Sequence, residues 1–141
     1  VFRVQAENQH AVLSADTAGD IPPVPVDNQA LEHIMANLII NALDAIPENG
    51  GRIDIRTSYD ELAEEVVVTV CDNGPGIAEK DHKFIFDPFY STKAVNKGSG
   101  LGLSIVFGFM SDLGGSVMAD NQKTGGARFT LRFPVARTEE I

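Results

Sequence analysis

Between Asp27 and Pro47 the apolar residues Leu31, Ile34, Met35, Leu38, Ala42 and Ile46 recur every three or four positions, the spacing that lines one face of a helix. This predicts a helix over "NQALEHIMANLIINALDAI", with Asp27 as its N-cap and the "PENGG" turn as its stop. The period then shortens. "GRIDIRTSY" alternates Ile53 and Ile55 with polar residues, as a half-buried strand does. "EVVVTVCD" is β-branched and apolar on both faces, which predicts a central strand covered on both sides. "AEKDHKFIF" predicts a weakly patterned helix, and a strongly patterned one follows from about Leu101, with Leu101, Ile105, Phe109 and Leu113 at four-residue intervals. Gly114 and Gly115 supply its C-cap. "GSVMADN" and "ARFTLRFP" predict two more strands joined by "QKTGG". Upstream of the first helix the pattern is mixed, and Pro22, Pro23 and Pro25 exclude a helix there. No segment repeats and none is of low complexity. The sum is an α+β two-layer domain, a mixed sheet with helices on one face.

Bulk properties narrow the function classes. A length of 141 residues implies one domain, residues 1–141, burying about 70% of its unfolded surface. The net charge of −9, from 20 acidic and 11 basic residues, argues against nucleic acid as a partner, since that affinity rests on clustered Lys and Arg. It also means that an anionic ligand needs local positive features. The single cysteine, Cys71, excludes an intrachain disulfide or a cysteine-based zinc cluster and reads as a small buried hydrophobe. No apolar run approaches the ~18 residues of a membrane span, so a cytoplasmic domain without membrane contact is expected. The chain starts in mid-pattern at "VFRVQ" without methionine, as a piece of a longer protein would.

Three segments could carry chemistry. On the first helix His33, Asn37 and Asn41 are spaced four apart with Asp44 three further on, so they share a stripe beside the core stripe. Asparagine is a poor helix former, and its amide oxygen can ligate Mg²⁺ alongside waters and phosphates; taken alone, a solvated helix face is the simpler account. In "CDNGPGI" the Asn-Gly pair is ordinarily a hairpin signal, but the segment that follows is helical in character. Asp72 would end a buried strand, where its carboxylate can accept from an exocyclic amine such as adenine's, while Gly74 and Gly76 would let the backbone approach a flat ring. "KAVNKGSGLGLS" is neither a Walker loop, because Lys97 precedes Gly98, nor a dinucleotide fingerprint, because no strand precedes it. It leaves either a plain linker or a mobile loop with Lys93 and Lys97 that ends on the free amides of a helix N-terminus, a place that favours an anion.

The order and spacing of these segments narrow the choice. An asparagine-bearing helix, Asp-x-Gly-x-Gly after a strand, "FDPFYSTK" and then "GSGLGLS" resemble the N, G1, F and G2 boxes of the catalytic ATP-binding domain of sensor histidine kinases. The resemblance runs from about Asp27 to Pro134. "NLIINALDAI" with "FDPFYSTK" and a short lid is most similar to the nitrogen-regulation, dicarboxylate-sensing and oxygen-sensing kinases. The resemblance implies a Bergerat-type fold: a mixed, largely antiparallel sheet of about five strands against three helices, with residues 86–100 as a lid over ATP. It implies that Asp72 binds the adenine amine, with Gly74, Gly76 and Ile77 lining the base pocket. Asn41 would ligate Mg²⁺ with Asn37 assisting, and Lys93 and Lys97 would reach the β- and γ-phosphates. Tyr90, Ser91 and Thr92 would belong to the nucleotide-binding lid. Gly98, Ser99, Gly100, Leu101, Gly102 and Leu103 would cradle the phosphate chain, with Asn37, Asn41 and Lys93 as the catalytic set.

The sequence departs from that pattern at three places. Asn96 stands where this subgroup often has glycine, though asparagine tolerates a left-handed backbone. His33 stands where glutamine or glutamate is frequent, and Asp44 with Ala45 replaces the Lys-Tyr pair of another subgroup. None of His10, His33 and His82 is followed by the acidic residue and proline that mark a phosphoacceptor. The acceptor is therefore expected on a separate dimerising helix domain of a homodimeric parent kinase, free or anchored in the inner membrane, with a response regulator as the further partner. Two other functions fit the same superfamily: an ATP-hydrolysing switch, disfavoured because Asn37 stands where the water-activating glutamate would be, and a nucleotide-binding pseudokinase or docking module. A serine kinase acting on anti-sigma-type partners fits "FDPFYSTK" less well.

Overall fold

A computed structural model describes residues 12–17, 21–88 and 102–135. Five strands form one mixed sheet: β1 (Val12–Thr17), β2 (Arg52–Asp60), β3 (Glu65–Asp72), β4 (Ser116–Asn121) and β5 (Ala127–Pro134). Their order across the sheet is β1-β2-β3-β5-β4. Only the β1–β2 pair is parallel; β2–β3, β3–β5 and β4–β5 are antiparallel. Two α-helices, α1 (Asn28–Ala45) and α2 (Gly102–Asp112), pack against the sheet. Helix α1 is the crossover between the parallel strands, the connection that such a pair requires.

Local chemistry sets the helix ends. The Asp27 carboxylate accepts from the Gln29 and Ala30 amides and so caps α1. At the far end of α2, Gly114 takes φ +75°, Gly115 N–H donates to Met110 C=O, and Gly114 N–H donates to Ser111 C=O. That is a Schellman stop, which glycine makes possible. Between the layers Ile34, Leu38, Ile39, Ala42 and Leu43 of α1 meet Val106 and Met110 of α2 and the inward row Ile53, Val66, Val68, Val70, Phe129, Leu131 and Phe133.

Four expectations are revised. Strand β3 is central, but only one of its faces is sealed: Val66, Val68, Val70 and Asp72 are buried while Val67, Thr69 and Cys71 are partly exposed, because both helices lie on one side. Of the expected stripe Leu101 lies outside the described residues and Ile105 is only partly buried; the buried residues of α2 are Val106 and Met110, and the helix is turned so that Leu103, Phe109 and Leu113 flank the core. The third helix is a single 3-10 turn, Glu79–Asp81, which has no side-chain cap. Non-helical turns follow it, burying part of Ile85 and Phe86 and leaving Phe84 exposed. Finally, the mixed N-terminal segment contains β1, which adds the parallel edge.

Candidate functional site

Strand β3 delivers Asp72 at its last position, on the helix-facing row. The residue is 3% exposed, and Oδ1 accepts from Gly74 N–H at 2.9 Å and Ala127 N–H at 3.3 Å. Burial pushes this carboxyl above the ordinary carboxylate range, and the two amide donors oppose the shift. A buried acceptor with one oxygen already anchored is a fixed recognition point for a donor.

The Asn-Gly pair that follows makes no hairpin. Asn73 Oδ1 accepts from Arg52 N–H at 2.7 Å and Asn73 Nδ2 donates to Gly50 C=O at 2.8 Å. The side chain thereby fastens the end of β3 to the start of β2. The room left by the glycines is filled by protein atoms. A β-carbon on Gly74 would lie 2.5 Å from Ala45 C=O, at the end of α1, and one on Gly76 would lie 2.8 Å from Asn121 Oδ1. Gly76 also sits at φ +82°, where other residues are strained.

Asn121 and Gln122, absent from the sequence-based site, tie this loop to the β4–β5 turn. Asn121 Oδ1 accepts from Ile77 N–H at 2.7 Å and Asn121 Nδ2 donates to Ile77 C=O at 2.8 Å. Gln122 Nε2 donates to Asp72 C=O at 3.0 Å. In the same turn Gly126 approaches so closely that a β-carbon would fall 1.8 Å from Asp72 C=O.

The asparagine stripe of α1 is partly buried at Asn37 and Asn41 and exposed at His33 and Asp44. Asn37 Nδ2 donates to His33 C=O at 3.0 Å, which orients the amide. A β-carbon on Gly102 would lie 3.2 Å from Asn37 Oδ1, which places the first turn of α2, including Leu103, beside Asn37. The His33 ring packs on Phe109 of α2 at 5.3 Å. Phe86 stands edge-on to Phe129 at 6.4 Å and beside Phe107 at 5.8 Å, which ties the start of the "FDPFYSTK" block to the core.

Helix α1 is thus a common spine. It meets the Asp72–Ile77 loop at Ala45 and the start of α2 at Asn37, with Asn41 midway. At 1.5 Å per residue those contacts are about 12 Å apart along the axis, a gap that a ligand with a base at one end and phosphates at the other can bridge. Tyr90, Ser91, Thr92, Lys93, Asn96, Lys97, Gly98, Ser99, Gly100 and Leu101 lie outside the described residues, as does His10. Among the described residues no helix is long and apolar enough to cross a membrane.

Comparison with known proteins gives concordant results. The model of a family described as histidine kinase-, DNA gyrase B- and HSP90-like ATPases matches residues 26–137. The chain is 38% identical over 135 residues to the sensor kinase CckA of Brucella abortus, covering 86% of this chain and 14% of that protein. It is 44% identical over 112 residues to the signal transduction histidine-protein kinase AfsQ2 of Streptomyces coelicolor, covering 77% of this chain and 20% of that one. The chain therefore spans a fifth or less of these two relatives. Among solved structures, the nucleotide-free catalytic domain of the histidine kinase ThkA superposes with a TM-score of 0.83 at 30% identity, covering 94% of this chain and 84% of that one. ThkA in complex with the response regulator TrrA superposes with a TM-score of 0.78 at 26% identity, covering 96% of this chain and 37% of that one.

Proposed function

The chain belongs to the family of histidine kinase-, DNA gyrase B- and HSP90-like ATPases, and from that membership we propose that it is the nucleotide-holding half of a histidine-kinase active site. The observation that carries this reading is the spine arrangement of α1, which sets the Asn37 amide oxygen beside the start of α2 and, about two turns on, meets the loop that follows a buried carboxylate. Asp72 accepts from the exocyclic amine of adenine, and Gly76 and Ile77 line the base. Asn41, with the Asn37 oxygen beside it, supplies hard oxygen donors suited to Mg²⁺. The backbone amides of Gly102 and Leu103, at the start of α2, and those of Gly98 to Leu101, which precede them in the sequence, are assigned to the phosphates. Lys93 and Lys97 add positive charge, and Tyr90, Ser91 and Thr92 complete the lid.

Phosphoryl transfer through a loose transition state needs positioning and charge neutralisation more than covalent help. Bound Mg²⁺ neutralises charge on the phosphates. This chain's own share is to fix the base at Asp72 and hold the triphosphate along α1. An imidazole nitrogen from a separate phosphoacceptor-helix domain attacks the γ-phosphorus, forming the N–P bond as the bond to ADP breaks. That domain of a homodimeric kinase and a response regulator are the proposed partners. Asn37 is an amide with no basic nitrogen, so it cannot activate water as a base would.

The test is incubation with γ-labelled ATP, Mg²⁺ and the acceptor-helix fragment of the same kinase. Acid-labile, base-stable label on that fragment is the expected outcome. Rapid hydrolysis by the chain alone with no labelled fragment would assign it to the ATP-hydrolysing members of the family instead.

A further inference from the structure

We propose that Asn121 is a positioning residue for the base pocket: its carboxamide, in place of a strand, holds the Gly76–Ile77 segment in place as the wall of the pocket beyond Asp72. The inference rests on the adenine reading of Asp72. The geometry is that of peptide pairing. Oδ1 takes the Ile77 N–H at 2.7 Å and Nδ2 gives to the Ile77 C=O at 2.8 Å, so one side chain satisfies both backbone groups of a loop residue that no strand pairs. The loop has been shaped for this partner. Gly76 carries no β-carbon where one would stand 2.8 Å from Oδ1.

The next residue completes the clamp. Gln122 Nε2 donates to Asp72 C=O at 3.0 Å and to Gly125 C=O at 3.4 Å, while the Ala127 amide from the same hairpin donates to the Asp72 carboxylate. Consecutive carboxamides therefore fix the two ends of the segment 72–77, Gln122 at Asp72 and Asn121 at Ile77. Both ends are referred to one rigid turn, closed by Gln122 N–H donating to Gly126 C=O at 2.8 Å. Removing Asn121 leaves Asp72 in place and frees only the Gly76–Ile77 wall. Purine discrimination should fall while the phosphate end is untouched.

Asn121 is exposed, so Asn121→Ala should fold. The experiment compares Mg²⁺–ATP and Mg²⁺–ITP binding by calorimetry for the wild type, Asn121→Ala, Asn121→Asp and Asp72→Asn. ITP bears a 6-oxo group where ATP bears the amine. For Asn121→Ala the ATP Kd should rise about tenfold, because binding then has to order the freed Gly76–Ile77 segment, and the ATP-to-ITP preference should shrink, with tripolyphosphate binding unchanged. Asn121→Asp keeps the acceptor for Ile77 N–H but loses the donor, and should fall between Asn121→Ala and the wild type. A general loss of fold would weaken all three ligands alike and would overturn the proposal. So would an Asn121→Ala protein that keeps the wild-type preference while Asp72→Asn loses it, and that result would leave the adenine assignment standing. A wild type that does not prefer ATP over ITP would overturn the adenine assignment and the positioning role together.

Discussion

Asp72→Asn separates recognition from stability, and its two effects have opposite signs. Asparagine keeps an oxygen where Oδ1 now accepts from the Gly74 and Ala127 amides, so the loop anchors survive. It presents no carboxylate to an adenine amine. A hydrogen bond to a charged acceptor contributes about 1.5–3 kcal/mol, so the ATP Kd should rise about tenfold to a hundredfold at 1.4 kcal/mol per decade. Folding stability should not fall with it. Burial raises the Asp72 pKa, which means that the ionised form is less favourable in the folded chain than in the unfolded one. The carboxyl's contribution is fully present below the ordinary Asp pKa of about 3.9 and is lost as pH rises through the raised folded-state value. The variant has no such loss. Melting curves from about pH 4 to pH 7 should therefore show the difference in Tm, variant minus wild type, growing as pH rises above about 4. Calorimetry at pH 7 supplies the affinity. An unchanged ATP Kd would refute the role of Asp72 in base recognition. A variant less stable than wild type at neutral pH would refute the burial argument even if binding were lost.

The Mg²⁺ and core assignments are open to equally direct measurements. Asn41→Ala should weaken ATP binding in Mg²⁺ but not in EDTA, while gaining helix propensity of up to about 0.7 kcal/mol; equal losses in both buffers, measured by calorimetry, would remove Asn41 from the metal site. Met110→Ala, at a position with 0% exposure, should lose about 2–5 kcal/mol in urea denaturation, and a loss below about 1 kcal/mol would mean that α2 does not close the core where the structure puts it.

Legibility in the sequence followed the range of the interactions. Helix α1, its Asp27 cap and the Gly114–Gly115 stop were readable because each depends on residues within a turn of one another. Asp72 was readable because its strand and the glycines beyond it are contiguous. The rotation of α2 was not, since "LGLSIVFGFM" is apolar around most of its circumference and only the sheet decides which side is buried. The single-sided burial of β3 was hidden in the same way, because a β-branched run carries no record of which layers exist. Strand β1 is an edge whose partner β2 lies beyond a whole helix. Asn121 and Gln122 sit in "DNQKTGG", where carboxamides and glycines read as turn formers. Asn121's partner is 44 residues away, and that separation has no local signature. One hint was available: Gly125 and Gly126 both take positive φ, and two adjacent glycines in a turn can mark a close backbone approach, here Gly126 to Asp72.

The distribution of charge among the described residues bears on how the proposed phosphate end is neutralised. All four arginines among the described residues, Arg52, Arg56, Arg128 and Arg132, occupy positions of β2 and β5 that alternate with inward residues such as Ile53 and Phe129. They therefore project from the sheet face opposite the helices. Three are engaged there: Arg52 is 3.9 Å from Asp54, Arg128 pairs with Asp120 at 2.5 Å, and Arg132 lies 3.1 Å from Asp60 and 3.2 Å from Glu65. A nucleotide lying along α1 is on the other side of the sheet and cannot reach them. With a net charge of −9 for the whole chain, the field at that site has to be corrected locally. Beside α1 the structure sets the amides at the start of α2, a place favoured by the helix dipole; the proposed function adds a cation on the asparagine oxygens and the charge of Lys93 and Lys97. On the proposed function the phosphate end depends on a bound cation and lysine charge, whereas the Asp72 end is anchored by hydrogen bonds inside the fold. Affinity for the base and affinity for the phosphates are then separable properties of one spine.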